Sequence, residues 1–265
     1  MYNNSNSLCY KNTSLAYIDK GKGRVIVLLH GFLMSKEIWG NYVNELSGKN
    51  RVIAIDLLGH GQSGCLGYVH SIEMMAEAVS FILKKLKIRK YYLVGHSMGG
   101  YVACAVAEKN PDNVCGIILV NSTSRNDSKE KIIERKRAIK VVQLNHRLFI
   151  NEAIPNLFNT DYKPYKRAIK KIIKIALKTP VQGIVAALEG MKERMDREVV
   201  LKFSPYPVLF ILGKKDNILD YKELIEQAKN CEADYEVFKR SGHMSFIENE
   251  TEVLNTIRNF VKKNK

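Results

Sequence analysis

Tyr91-Tyr92-Leu93-Val94-Gly95-His96-Ser97-Met98-Gly99-Gly100 is followed at once by Tyr101-Val102-Ala103-Cys104-Ala105-Val106-Ala107. The first half is a short apolar run of strand formers, the second has the spacing of a small-residue helix, and Ser97 stands at the joint. A G-x-S-x-G on a strand–turn–helix forces a tight turn that thrusts the serine hydroxyl outward. The same residues in a plain turn would carry no chemistry, so the rest of the chain must supply what a nucleophilic serine needs.

Outward from that joint the strand pattern recurs. Val25-Ile26-Val27-Leu28-Leu29, Arg51-Val52-Ile53-Ala54-Ile55-Asp56, Val114 to Val120 and Pro207-Val208-Leu209-Phe210-Ile211-Leu212 are continuous apolar runs, as in strands buried on both faces of a parallel sheet. Ser14 to Asp19 and Tyr235 to Phe238 read as outer strands. Helical spacing lies between them at Glu37 to Leu46, after a Ser71 cap, at Tyr221 to Ala228 behind Asp220, and at Thr251 to Val261. This alternation predicts an α/β chain with a mostly parallel sheet.

From Ser124 to Val200 the pattern changes. No convincing strand is present, and basic helical segments are expected at Ile132 to Leu148, Ile154 to Phe158, Pro164 to Leu177 and Pro180 to Met191. The expected organisation is therefore a core made of residues 1–123 and 201–265, split by a helical insertion at 124–200.

Composition narrows the class. The 265 residues suffice for one large domain, and the five cysteines are odd in number, without metal or disulfide-framework spacing. A reducing cytoplasm is the expected location, with Cys104 and Cys115 as buried thiols. No apolar run has the length of a membrane span, and disorder is expected only at the ends. The net charge of +15 invites a nucleic-acid reading, but residues 125–202 hold 19 Lys or Arg against nine Asp or Glu. About ten of the fifteen charges thus fall in the insertion, with no nucleic-acid module beside them.

A serine hydroxyl needs a base, and the base needs an acid to orient it. Of the six histidines, His243 follows the last strand in Arg240-Ser241-Gly242-His243-Met244, at the carboxyl edge of the sheet where ligands gather. Asp216, leaving a strand in Gly213-Lys214-Lys215-Asp216, is the expected acid, while Asp220 reads as a helix cap. The backbone N–H groups of Met98 and Phe32 are the expected oxyanion donors. His30, His60 and His96 are expected to brace loops. No metal or organic cofactor is called for.

His30-Gly31-Phe32, Asp56-Leu57-Leu58-Gly59-His60-Gly61-Gln62-Ser63, Gly95-His96-Ser97-Met98-Gly99-Gly100, Gly213 with Asp216, and Gly242-His243 together resemble the α/β-hydrolase superfamily over nearly the whole chain. The resemblance implies that fold with a helical cap, and a serine at position 97 argues against the branches that use an aspartate nucleophile. It implies a small-molecule ester or thioester substrate, hydrolysed through an acyl-enzyme. It also leaves relatives that break carbon–carbon bonds or eliminate pyruvate, for which Arg125, Arg147 and Arg194 are candidate substrate contacts, and non-catalytic binders on the same scaffold. The basic insertion makes an acidic acyl carrier protein a candidate partner, in the manner of pimeloyl-carrier methyl ester esterases.

Overall fold

The computed structural model describes residues 5–159 and 163–264. Among them the apolar runs become strands of one sheet: β1 (Asn6–Tyr10), β2 (Thr13–Lys20), β3 (Arg24–Leu29), β4 (Asn50–Ile55), β5 (Tyr91–His96), β6 (Val114–Val120), β7 (Val208–Gly213) and β8 (Asp234–Phe238). Their order is β1-β2-β4-β3-β5-β6-β7-β8. From β4 to β8 every pairing is parallel, whereas β1 and β2 are added antiparallel at one edge. Every residue of β5 and β7 is buried, which explains why these strands read as uninterrupted apolar runs rather than alternating ones.

β1 lies where the sequence reading placed no strand. Ser7, Leu8 and Cys9 pair with β2 across a turn whose Lys11 and Asn12 have φ of 47° and 62°, the backbone of a tight hairpin. As an edge strand exposed along most of its length, it carries no apolar run for a sequence reading to catch. Residues 1–4 lie outside the described residues.

The helices are α1 (Gly40–Leu46), α2 (Ile72–Lys85), α3 (Met98–Lys109), α4 (Lys129–Ala153), α5 (Lys166–Ala176), α6 (Val181–Lys192), α7 (Glu198–Lys202), α8 (Tyr221–Asn230), α9 (Ser245–Glu248) and α10 (Glu250–Lys263). Ser71 caps α2 by accepting the Met74 N–H at 3.1 Å, and Asp220 caps α8 by accepting the Lys222 N–H at 2.8 Å. The segment expected as a helix from Glu37 begins instead as a 3-10 turn, Lys36–Trp39, before α1. Lys36 is drawn into the interior by Asp56, which accepts from its ammonium at 2.6 Å and its N–H at 2.7 Å.

Between β6 and β7 the described residues contain helices and no strand. α4 is longer than its apolar spacing suggested, and it bends at Asn145 (φ −155°, ψ 83°), whose side chain accepts the Leu148 N–H and recaps the second half. α5 turns Ile169, Ile172 and Ile175 inward and leaves Lys166, Arg167, Lys170, Lys171 and Lys174 exposed. α6 rests on the loop after β4: His70 donates its N–H to the Ala186 carbonyl at 2.9 Å, and a side chain at Gly183 or Gly190 would collide with the carbonyl oxygen of Gly59 or His70. The expected burial of Cys115 is also corrected. It is only half-buried, while Cys104 on α3 and Cys231 after α8 are buried and all five thiols are free.

Three histidines hold the loops at the carboxyl edge. His30 accepts the Leu57 N–H at Nε2 (3.0 Å) and donates from Nδ1 to the Gly31 carbonyl (2.8 Å), tying the end of β3 to the end of β4. His60 donates from Nδ1 to Leu58, and His96 from Nε2 to the His243 carbonyl. Burial first of all lowers their pKa values, to about 4 for His30 and about 3 for His60 and His96, so each stays neutral in the folded chain. An unfolded histidine titrates near 6.5, so below that value the unfolded chain binds more protons and stability falls as pH drops toward the folded values. At pH 5 each site costs roughly 2 kcal/mol relative to pH 7. Melting followed by tryptophan fluorescence is therefore expected to shift steeply downward between pH 7 and 5, and a flat Tm over that range would contradict the assignment.

Candidate active site

Ser97 ends β5 and opens α3 with φ 49° and ψ −118°, a backbone conformation that L residues rarely adopt. The strain is held from three sides. Its N–H donates to the Val120 carbonyl at 3.0 Å, its carbonyl accepts from the Ser122 hydroxyl at 2.7 Å, and the Gly100 N–H reaches the same carbonyl at 2.8 Å. The turn can close because Gly95 and Gly99 have no side chains: a Cβ at either would strike backbone, at Gly99 for the former and at Leu29 for the latter.

Although Ser97 occupies the N-cap position, its hydroxyl caps no N–H of α3. It lies 2.9 Å from His243 Nε2, and His243 Nδ1 lies 2.8 Å from Asp216 Oδ2. Because the carboxylate accepts the proton at Nδ1, the lone pair of Nε2 faces the serine. The three side chains therefore form one hydrogen-bonded row.

The row is fixed by residues around it. Asp216 also accepts from the N–H groups of Ile218 (2.8 Å) and Leu219 (3.1 Å) and from the Asn121 amide (3.0 Å). Burial pushes the Asp216 carboxyl up, but the neighbouring His243 and these donors outweigh burial and hold its pKa below the usual carboxylate range. The His243 N–H donates to the Leu157 carbonyl at 2.8 Å. Glu248 clamps the loop below it, accepting from the Gly242 N–H at 2.7 Å and the Asn159 N–H at 2.8 Å.

Met98 is the first residue of α3, where N–H groups have no intrahelical acceptor. Phe32 sits in a turn closed by the Met34 N–H on the Gly31 carbonyl, with Leu33 at φ 61°. The loop carrying Phe32 comes close to Ser97: a Cβ at Gly31 would lie 3.4 Å from the Ser97 Cβ. Asp220, the competing acid, is engaged as the cap of α8. His30 and His96 face backbone carbonyls rather than the Ser97 hydroxyl.

Ser97 and His243 open on a cavity of about 660 Å³. Phe32, Tyr101, Phe149, Leu157 and Leu188 supply apolar wall, and Arg125, Arg135 and Arg194 line it beside Asp127. Of the three arginines singled out in the sequence, Arg125 and Arg194 reach the cavity. Arg147 does not; it is exposed on the second half of α4, beyond the bend.

Asn121, Asp127, Arg135 and Glu248 were not legible as site residues. Among the described residues no three His, Cys, Asp or Glu are grouped as metal ligands, and no helix is long and apolar enough to cross a membrane.

Comparison with known proteins agrees with this architecture. The chain is 31% identical to a thermophilic esterase from Thermogutta terrifontis, solved with malate bound, with a TM-score of 0.91 over 98% of both chains. It is 27% identical over 265 residues to the pimeloyl-[acyl-carrier protein] methyl ester esterase of Aliivibrio fischeri, covering 95% of this chain and 98% of that one. It is 28% identical over 246 residues to the dihydrolipoyllysine-residue acetyltransferase component of the acetoin cleaving system of Pseudomonas putida, covering 91% of this chain and spanning 64% of that protein's length. The family described as alpha/beta hydrolase fold matches residues 24–170. With a mostly parallel eight-stranded sheet, a strained serine between β5 and α3, and relatives that are esterases and hydrolases, the chain belongs to the α/β-hydrolase family of enzymes.

Proposed function

We propose that this protein hydrolyses carboxylic esters, with Ser97 as nucleophile, His243 as general base and acid, and Asp216 as the acid that orients the histidine. The observation that carries the reading is the unbroken row from Ser97 Oγ through His243 to Asp216, opening on the cavity. The named activities of two relatives, an esterase and a methyl ester esterase, support the ester over other hydrolysable groups.

In this mechanism His243 Nε2 takes the Ser97 proton as Oγ attacks the ester carbonyl carbon. The developing oxyanion is held by the N–H groups of Met98 and Phe32. Collapse of the tetrahedral intermediate breaks the bond to the alcohol oxygen, which leaves with the proton from His243. Water, deprotonated by the same nitrogen, then releases the acid and restores Ser97. A thioester follows the same steps with a thiol leaving. Residues 124–200 act as the cap over a core of residues 1–123 and 201–265, and shape the acyl or alcohol pocket. The five free thiols support a reducing compartment such as the cytoplasm.

A second reading keeps the three residues but breaks a carbon–carbon bond beside a ketone. Arg125 and Arg194 in the cavity wall favour it, since such substrates are dianionic.

A fluorophosphonate probe is expected to label wild-type protein at Ser97 and to leave Ser97→Ala unlabelled. On activated esters, Ser97→Ala is expected to lose about 10³-fold or more in kcat, and the absence of both labelling and turnover would sink the reading. Asp216→Asn is expected to keep the fold but cost about 10²- to 10⁴-fold in kcat, because the amide cannot hold the Nδ1–H tautomer of His243. Equal rates for Asp216→Asn and wild type would remove Asp216 from the mechanism.

The exposed basic face of α5 and the carrier-linked name of one relative favour an acidic acyl carrier as the presenting partner. With a carrier-bound ester, kcat/KM is then expected to fall steeply with added salt and by about tenfold or more on reversing Lys170 and Lys171 to Glu. Rates on the carrier-bound ester that ignore both changes would exclude docking by this face.

A further inference from the structure

Away from Ser97, the cavity wall contains a charge cluster that ester hydrolysis does not use. Asp127, at the start of the segment leading into α4, accepts hydrogen bonds from two guanidiniums: Arg135 through Nε and Nη2, and Arg194 through Nη1. All three side chains are largely buried, with exposures of 2% for Asp127, 4% for Arg194 and 12% for Arg135. Among the described residues no other carboxylate lies within ion-pair distance of either arginine. Two positive charges thus share one negative charge in a poorly hydrated wall, leaving a surplus of one.

Such a surplus is costly unless an anion joins it. Donor capacity remains: Nη1 of Arg135 makes only a long contact with the Met191 sulfur, at 3.5 Å, and the other neighbour of this guanidinium is the Tyr101 hydroxyl, which carries no charge. Ser128 lines the same end of the cavity and caps α4, whose amino-terminal dipole adds to the positive potential. The cluster is also tied to the reactive end. Arg194 stacks with its guanidinium carbon 4.1 Å from the centre of the Tyr101 ring, and Tyr101 lies in the first turn of α3, which Ser97 precedes. Ser97, Tyr101, Arg135 and Arg194 all line one cavity.

We propose that Arg135 and Arg194, sharing Asp127, form a carboxylate subsite, and that the preferred substrate is an ester carrying a free carboxylate, such as a hemiester of a short dicarboxylic acid. The inference deepens the ester-hydrolase reading and rests on it for the reaction, while the anion site itself stands on the cluster alone. The carboxylate completes a two-to-two arrangement with the arginines and places the ester group toward Ser97. Hydrolysis of such a hemiester consumes one water and yields the dicarboxylate, the alcohol and one proton.

The test separates binding from turnover. Adipate is titrated calorimetrically into Ser97→Ala protein and into the same protein carrying Arg135→Gln. That substitution removes the surplus charge and leaves Asp127 paired one-to-one with Arg194. Adipate is expected to bind the first protein and to bind the second about 10- to 100-fold more weakly, the range for a hydrogen bond between charged groups. Arg135→Lys, which retains the charge, is expected to recover much of the affinity. No binding, or equal binding to all three proteins, overturns the proposal.

With Ser97 intact, the ratio of kcat/KM for monomethyl adipate to that for dimethyl adipate is expected to fall by the same factor in Arg135→Gln, chiefly through KM. An unchanged ratio overturns the proposal. If no ester is turned over while adipate binding still depends on Arg135, the ester-hydrolase reading fails and the carboxylate site stands.

Discussion

The whole site depends on how closely α3 approaches the strands at its amino end. Because Gly95 and Gly99 place no side chain at the turn, α3 can begin against the ends of β3 and β5, and the residue between must take up the abrupt change in chain direction. Ser97 therefore sits at φ 49°, a conformation worth of order 1–3 kcal/mol of strain, and its hydroxyl is directed away from the helix it nominally caps. That strain is overdetermined by bonds to Val120, Ser122 and Gly100. Met98, the residue after Ser97, is the first of α3, where an N–H has no intrahelical acceptor.

Around that turn the carboxyl edge of the sheet is held by neutral, buried polar groups and by charges matched inside the structure. His30 joins the ends of β3 and β4, and His96 supports the carbonyl of His243. Lys36 and Asp56 are both buried, and Asp56 further accepts the Gln62 N–H, so the loops after β3 and β4 share one ion pair. Removing either partner of such a pair strands a charge in the interior, which makes these loops cooperative with the fold rather than loosely appended to it. The arginines around Asp127 depart from that balance, and they do so at the cavity.

Much of this was readable in the chain because the relevant signals were local. Continuous apolar runs gave the buried strands, the G-x-S-x-G gave the turn, and Asp216 and His243 each follow a strand by a few residues. β1 was not readable because an edge strand paired on one side needs no apolar run. Asn121, Glu248 and the Asp127–Arg135–Arg194 cluster were hidden for another reason: each depends in part on a partner far away in the chain, as Glu248 does on Asn159. Asn121 meets Asp216 and Gly242, and Arg194 meets Asp127, only once the sheet edge has brought them together. Residues between β6 and β7 were legible as helical and basic, but which arginines face inward depends on how α4 and the loops carrying Arg125 and Arg194 sit against the core, which periodicity alone does not specify.

The seating of α6 has a consequence for how this protein can change over generations. Gly183 and Gly190 bring the α6 backbone into direct contact with the backbone of the loop carrying Gly59 and His70. Contacts of that kind offer no side chain to enlarge, shrink or exchange, so the face of α6 turned to that loop is closed to gradual remodelling, while Leu188 and Met191 of the same helix line the cavity. Ala138 and Phe149 of α4, by contrast, meet the cavity through side chains of very different volume. Inherited variation in pocket size and polarity is thus channelled to the cavity-facing side chains of α4 and α6, and a lineage shifting to new substrates would record that history there while the glycine face of α6 stays nearly invariant.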